Sequence, residues 1–232
     1  FLISKTKCML GSQTALQTPK NFKAHYQASL SGIEVKATRA LATRQDGSRE
    51  LRFKAKSWLA KINEFSIFDW NLQGALVPNR YEYHRSGLGR DRHAVLTFDW
   101  AKQRVTNDVQ KKPWQMDIPE GALDKLSYQL QLRQQLINGL PLTEYAIADG
   151  GRLKTYRFER LGEEVIDTPV GKLSTVKVRR IRTSDKGRQT LIWMARDWDY
   201  LLVKLSQTES DGKHYEINLS SADLDGLRVK GQ

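Results

Sequence analysis

The sequence predicts a mainly β protein: a large curved antiparallel sheet or barrel-like β domain that carries one amphipathic α-helix. Three observations predict it. Apolar and polar residues alternate with a period of two along most of the 232 residues, which is typical of strands with one buried face. Short turn-forming segments separate these runs. Between Gly121 and Gly139 the period changes to that of a helix.

The first strands show the alternation clearly. Between residues 22 and 30 the even positions are apolar and the odd positions polar, and the reverse holds from 33 to 38, after Ser31-Gly32. Two such runs around a short turn predict a hairpin. Later runs follow the same pattern as far as the C-terminal region, with turns such as Asp46-Gly47-Ser48 and Ser184-Asp185-Lys186-Gly187 between them.

The predicted helix covers about residues 122–138. Leucines recur at helical spacing from Leu123 to Leu136, and Asn138-Gly139 followed by Pro141 supplies the expected end. We expect its apolar stripe to pack on the sheet. Whether it closes the mouth of a curved sheet or covers its outside is left open by the sequence.

No linker rich in Pro, Ser or Gly divides the chain, so residues 21–232 are expected to form a single antiparallel β domain. Residues 1–20 are interpreted as a leader remnant or a disordered N-terminal arm, because the first eighteen residues lack the sustained apolar core of an intact secretory signal. The single Cys8 excludes an internal disulfide and is expected to be a thiol without function. No segment is long and apolar enough to predict a transmembrane helix.

Charge is the main compositional signal. The formal net charge is +12. Residues 1–120 hold 20 Lys and Arg against 11 Asp and Glu, or +9, which leaves 18 against 15, or +3, for residues 121–232. Such an excess favours anionic partners, whether a phosphate polymer, acidic lipid headgroups or an acidic protein surface.

No catalytic residue, metal site or cofactor is predicted, so the protein is expected not to be an enzyme. The chain has no Gly-x-Ser-x-Gly elbow, and Gly87-Leu88-Gly89 lacks the third glycine and the following helix of a nucleotide-binding loop. The histidines do not pair at the spacing of metal ligands. They are His25, His84, His93 and His214.

The candidate ligand or partner contacts are of two kinds. Aromatic residues on alternating strand positions could stack against a ligand, although core packing is their commoner role. Basic residues on the polar face of one strand could meet an anion. The aromatic candidates are Trp70, Tyr81, Tyr83, Phe98, Trp100 and Trp193, and the basic candidates are Arg52, Lys54 and Lys56.

The chain contains six short motifs made mostly of turn and aromatic residues. They are Gly87-Leu88-Gly89-Arg90, Phe98-Asp99-Trp100-Ala101, Asp124-Lys125-Leu126-Ser127-Tyr128-Gln129, Asp149-Gly150-Gly151, Thr168-Pro169-Val170-Gly171 and Trp193-Met194-Ala195. With these motifs the chain resembles a family of exported bacterial proteins, domain of unknown function 3108, from about Phe22 to near the C-terminus. The resemblance implies a bacterial envelope protein that is made with a signal peptide and released into the periplasm, and it implies no catalytic residue.

The leading functional hypothesis is therefore a non-enzymatic periplasmic protein whose curved sheet binds an amphiphile, with its basic face on anionic lipid, lipopolysaccharide or an envelope protein. Two alternatives remain open. One is a hydrolase of an envelope polymer that uses Asp99, Asp197 or Asp199 as its acid. The other, which the sequence favours least, is nucleic-acid binding through the basic sheet face.

Overall fold

The computed structural model describes residues 15–30, 33–182 and 187–232. Cys8 and the rest of residues 1–14, the turn at Ser31-Gly32 and most of the turn at 184–187 lie outside the described residues. The strands are β1 Phe22–Leu30, β2 Ile33–Thr43, β3 Arg49–Lys56, β4 Ala60–Trp70, β5 Leu76–Gly87, β6 Arg92–Asp99, β7 Arg104–Val109, β8 Lys112–Asp117, β9 Leu123–Asp124, β10 Glu144–Asp149, β11 Arg152–Thr168, β12 Gly171–Ile181, β13 Gln189–Ala195, β14 Leu201–Thr208, β15 His214–Leu224 and β16 Leu227–Arg228. The helix is α1 Tyr128–Ile137, and Arg196–Trp198 form one 3-10 turn.

All of these strands belong to one sheet, which confirms the predicted mainly β class with one helix. Its order is β8-β7-β6-β5-β4-β3-β2-β1-β15-β14-β13-β12-β11-β10-β9, with β16 beside β15. Two hairpin ladders are thus joined where β1 pairs with β15, at opposite ends of the chain. Every pair is antiparallel except β9 with β10.

The sheet curls until its two ends approach each other, although no pairing among the described strands closes it. Near one end, the Asn107 side chain of β7 accepts a hydrogen bond from the backbone N–H of Gly151, which follows β10, at 3.3 Å. The Ser66 hydroxyl of β4 donates to the Asp124 carboxylate of β9 at 2.6 Å. The fold is therefore barrel-like, with an inner face where most of the buried side chains lie.

Helix α1 lies inside this curl. Its Arg133 guanidinium stacks on the Phe22 ring of β1 at 4.9 Å, and its Tyr128 ring packs against Phe158 of β11 at 5.6 Å. Its buried residues include Arg133, Gln134 and Gln135 as well as leucines. The helix is consequently enclosed on several sides, which answers the question that the sequence left open. None of the helices in the described part of the chain has the length and apolar character needed to cross a membrane.

The helix begins at Tyr128, six residues later than the predicted 122. The cause is Asp124, whose carboxylate accepts hydrogen bonds from the backbone N–H groups of Leu126 and Ser127 at 2.8 and 2.7 Å. Aspartate side chains that bond nearby N–H groups favour turns over helices. Leu123 and Asp124 instead form the short strand β9.

A buried ion pair fixes the helix to the sheet. Arg133 Nη2 lies 2.6 Å from Asp199 Oδ2, and the two side chains are only 3% and 8% exposed. Burial lowers the pKa of Arg133 to about 10, while the Asp199 charge opposes that shift, so the guanidinium stays charged at neutral pH. The same carboxylate accepts the Lys20 backbone N–H at 3.0 Å.

Residues 15–20, which the sequence placed in an N-terminal arm, are hydrogen-bonded to the domain. Besides Lys20, the Gln17 backbone N–H donates to the Asn138 side chain at 2.9 Å, and the Asn138 amide donates back to the Gln17 carbonyl at 2.8 Å. The described part of the arm therefore runs past the end of α1 and is held there.

Asp199→Asn tests the ion pair. Loss of one partner leaves a buried charge uncompensated, and we expect the free energy of unfolding to fall by about 3 kcal/mol in urea denaturation. Asparagine suits the positive φ of 54° at this position, so backbone strain is not added. Asp197→Asn is the matched control, because its side chain is 65% exposed and its loss should cost at most about 0.5 kcal/mol. Equal losses would contradict a structural role for the pair.

Candidate ligand-binding site

The helix is too short to cover the inner face of the sheet. Ten residues of helix span about 15 Å, whereas strands of eleven residues such as β2 and β4 span about 36 Å. Leu130 and Arg133 pack over the part of the face near Phe22 and Arg39. At the far end of the same strands, beside the β3–β4 turn, the described residues place no helix over the inner face.

A cavity of about 440 Å³ opens at this uncovered end. Small side chains create the space, since Ala37 of β2 lies opposite Ala55 of β3 and Ala28 of β1 contributes a third alanine. We call this space the mouth cavity. Its larger apolar lining residues are Ile33, Val35, Phe53, Leu59, Ile62, Leu205 and Ile217. Its volume and apolar lining fall in the range of small-molecule pockets.

A second concavity of about 660 Å³ lies on the opposite face of strands β1 to β4. Here Lys36 of β2 lies opposite Lys56 of β3, which lies opposite Lys61 of β4. Lys54 is on the same face of β3. Among the described residues, no carboxylate oxygen lies within 4.0 Å of these four ammonium groups. We call this surface the lysine groove.

Like charges opposite each other destabilise strand pairs. Three lysines in one cross-strand row therefore carry an electrostatic cost that a bound anion would relieve. Lys56 is the last residue of β3 and lines both the lysine groove and the mouth cavity. The two concavities thus meet at the β3–β4 turn, one apolar and the other basic.

The structure places two of the three basic candidates from the sequence in the lysine groove and the third outside it. Lys54 and Lys56 lie in the lysine groove. Arg52 does not, because its guanidinium stacks on Phe65 at 4.9 Å and pairs with Glu50 at 2.7 Å. Sequence reasoning missed Lys36 and Lys61, which strand register alone brings beside Lys56.

The six aromatic candidates lie away from the mouth cavity. Trp70 packs edge-on against Phe68 at 5.3 Å, and Phe98 stacks on Trp100 at 5.7 Å. The Trp100 indole N–H also donates to the carbonyl of Pro78 at 2.7 Å. These three candidates are occupied by packing contacts within the domain.

The other three aromatic candidates contact charged side chains. The Tyr81 hydroxyl donates to Glu64 at 2.6 Å, and Lys125 lies 5.7 Å from the centre of the Tyr83 ring. Trp193 is 7% exposed and has the ammonium groups of Lys177 and Lys204 within 4.9 and 5.2 Å of its ring centre. None of the six lines the cavity, whose aromatic lining residues are Phe53 and Tyr215.

The carboxylates proposed for the hydrolase alternative do not converge. Asp99 pairs with Lys102 at 3.1 Å, Asp197 lies 3.6 Å from Arg196, and Asp199 is bound to the helix. None lines the mouth cavity or the lysine groove. The structure instead brings together Glu64, which is partly buried, and Asp124, which is fully buried. Neither was a candidate acid in the sequence.

Burial raises the pKa of both of these carboxyl groups. The hydrogen bond from Tyr81 and the charge of Lys125 partly oppose the shift at Glu64, as the Ser66 hydroxyl does at Asp124. The pair lies where β4 meets β9, away from both concavities. It lies where β9, at one end of the sheet, packs against β4, the fifth strand from the other end.

Two histidines also meet in the structure, although the sequence gave no pairing. His84 and His93 face each other across β5 and β6 with ring centres 5.5 Å apart, and His93 Nε2 lies 3.0 Å from Glu82. Within the described residues, no three or more His, Cys, Asp and Glu side chains are grouped so that they could hold a metal ion.

Glu64→Gln tests the pH dependence that burial implies. The pKa of Glu64 in the folded state is raised above the unfolded value of about 4.3. The protonated carboxyl group therefore stabilises the fold fully at low pH, and this stabilisation is lost as the pH rises through the folded-state pKa. We expect Glu64→Gln to match the wild type near pH 3.5 and to unfold at higher urea concentration near pH 8.

Glu209→Gln is the control of opposite sign. The hydrogen bond from Arg188 holds the pKa of Glu209 below its usual value, so this carboxylate stabilises the fold above the unfolded pKa. The substitution should lower stability near pH 8 and have little effect near pH 3.5. If Glu64→Gln behaved in the same way, the buried carboxylate would not have the raised pKa described above.

Fold and site together define a barrel-like β domain with an open apolar cavity beside a basic groove. The chain belongs to the family described as protein of unknown function DUF3108, whose family model matches residues 21–220. This confirms the resemblance found in the sequence. No curated protein matches the chain.

A solved structure shares the architecture. A β-barrel-like protein of domain of unknown function DUF1849 from Brucella abortus has a TM-score of 0.61 at 9% identity, over 90% of this chain and 99% of that one. This likeness shows the fold alone. MucB in complex with MucA has a TM-score of 0.36 at 10% identity, over 88% of this chain and 50% of MucB, so the chain spans about half of that protein.

Proposed function

We propose that this protein is a non-enzymatic cell-envelope protein, located in the periplasm, that binds an anionic amphiphile. The apolar chain of the amphiphile occupies the mouth cavity, and its head lies on the lysine groove. One observation carries the proposal. Lys56 borders a mainly apolar cavity of about 440 Å³ on one side. On its other side is a row of lysines that have no carboxylate oxygen within 4.0 Å in the part of the chain that the structure describes. The periplasmic location rests on what the sequence resemblance implies.

Each half of this site suits one half of an amphiphile. The aliphatic walls gain about 25 cal/mol for every Å² of apolar surface removed from water. Long-chain contacts of this kind need no directed polar groups, and the inner walls near Ile62 and Ile217 offer few. A phosphate or carboxylate on the groove would offset the mutual repulsion of Lys36, Lys56 and Lys61.

The cavity part is tested by binding of lysophosphatidylglycerol, a phospholipid with a single acyl chain, measured by native mass spectrometry. Ile62→Glu places a carboxylate among the aliphatic walls and should lower the affinity at least tenfold, or about 1.4 kcal/mol. Ile67→Glu makes the same change in the same strand on the opposite face and should bind as the wild type does. Equal binding by the two variants would overturn the cavity assignment.

The groove part is tested by comparing two probes of equal chain length. Lys56→Gln combined with Lys61→Gln should weaken binding of lysophosphatidylglycerol several-fold and leave binding of an uncharged monoacylglycerol unchanged, because only the charge is removed. Lys172→Gln is the control, since Lys172 lines neither concavity and pairs with Asp167 at 2.7 Å. Equal losses for both probes would contradict a head-group role for the groove.

A further inference from the structure

Two exposed apolar side chains lie in neighbouring turns at the edge of the mouth cavity. Trp58 in the β3–β4 turn is 81% exposed, and Leu88 in the β5–β6 turn is 71% exposed. The two turns are joined, because the Leu88 N–H donates to the Leu59 carbonyl at 2.7 Å. Gly87 permits this approach: a Cβ there would lie 2.6 Å from the Leu59 oxygen, at a φ of +118°.

The joined turns form one lip of the cavity. Ser57, Leu59 and Arg85 line the cavity from these elements. The Arg85 guanidinium also donates to the carbonyls of Leu88 and Arg90 at 3.3 and 3.4 Å. The residue that borders the cavity therefore also holds the exposed tip in place.

The lip is strongly basic. Two pairs of like charges face each other across the strands that lead into it, Lys56 with Lys61 and Arg85 with Arg92. Across the described ranges, none of these four side chains, nor Arg90, has a carboxylate oxygen within 4.0 Å. Asp91 is the one acidic residue between Lys56 and Lys61 or between Arg85 and Arg92.

Exposed apolar residues and basic residues occur together at this lip but not at the β4–β5 turn. Leu72 is 91% exposed, but it sits in the β4–β5 turn at the other end of the strands, between Asn71 and Gln73. Tryptophan favours the interface between water and hydrocarbon. Each Lys or Arg near an acidic membrane surface adds electrostatic attraction to that surface.

We propose that this lip docks the mouth of the cavity onto a lipid membrane with acidic headgroups. Trp58 and Leu88 enter the headgroup region, and the five basic side chains contact the lipid phosphates. The inference rests on the proposed function, because docking would place the open cavity at the level where an amphiphile leaves or enters the membrane. Binding through two kinds of contact, apolar and electrostatic, is what reversible membrane attachment requires.

Sedimentation with lipid vesicles tests the lip. The wild type should sediment with vesicles that contain phosphatidylglycerol, should not sediment with vesicles of phosphatidylcholine alone, and should detach as salt screens the charges. Trp58→Ser combined with Leu88→Ser should weaken vesicle binding at least tenfold. Leu72→Ser removes an equally exposed side chain from the other end and should have no effect.

The outcomes separate docking from ligand binding. The double variant at the lip should still bind lysophosphatidylglycerol in solution, and Ile62→Glu should still sediment with acidic vesicles. Docking would be overturned if the wild-type protein failed to sediment with acidic vesicles, or if the double variant bound them as well as the wild type does. Either result would leave the cavity assignment intact. If Ile62→Glu loses lysophosphatidylglycerol binding and the double variant at the lip keeps it, the cavity assignment is supported whatever the result for the lip.

Discussion

The arrangement of this protein depends on one mismatch of length, between a ten-residue helix and the sheet that curls around it. A curled sheet must fill its inner face, and α1 fills only the end where Arg133 is bound to Asp199. Around that end the sheet supplies fully buried large side chains such as Tyr26, Leu41 and Phe68. At the other end it supplies alanines, and the space between them is the mouth cavity.

Alternation predicted the strands and the inner face well, because side-chain direction is a local property of a strand. It could not predict the partner of each strand. The pairing of β1 with β15 joins residues nearly two hundred positions apart, and nothing local encodes it. The start of the helix was missed for a different reason, since the Asp124 side chain competes for backbone N–H groups that a helix would use.

The candidate site was half predicted. Lys54 and Lys56 were identified because they lie on the polar phase of one strand, but their neighbours Lys36 and Lys61 come from other strands through register. The aromatic candidates were selected for their size. Large side chains fill space, so the cavity lies where the inner positions hold alanine, as at Ala37 and Ala55. Small residues at the apolar positions of adjacent strands would have predicted the position of the cavity.

The central claim is that an amphiphile occupies the end of the curl that α1 leaves empty. Methyl-labelled protein titrated with lysophosphatidylglycerol and followed by NMR tests it most directly. The account predicts shifts at the methyl groups of Val35, Ile62, Leu205 and Ile217, which line the cavity, and unchanged signals from Leu130 and Leu132, which are buried in α1. Shifts centred on the helix, or no shifts at saturating lipid, would contradict it.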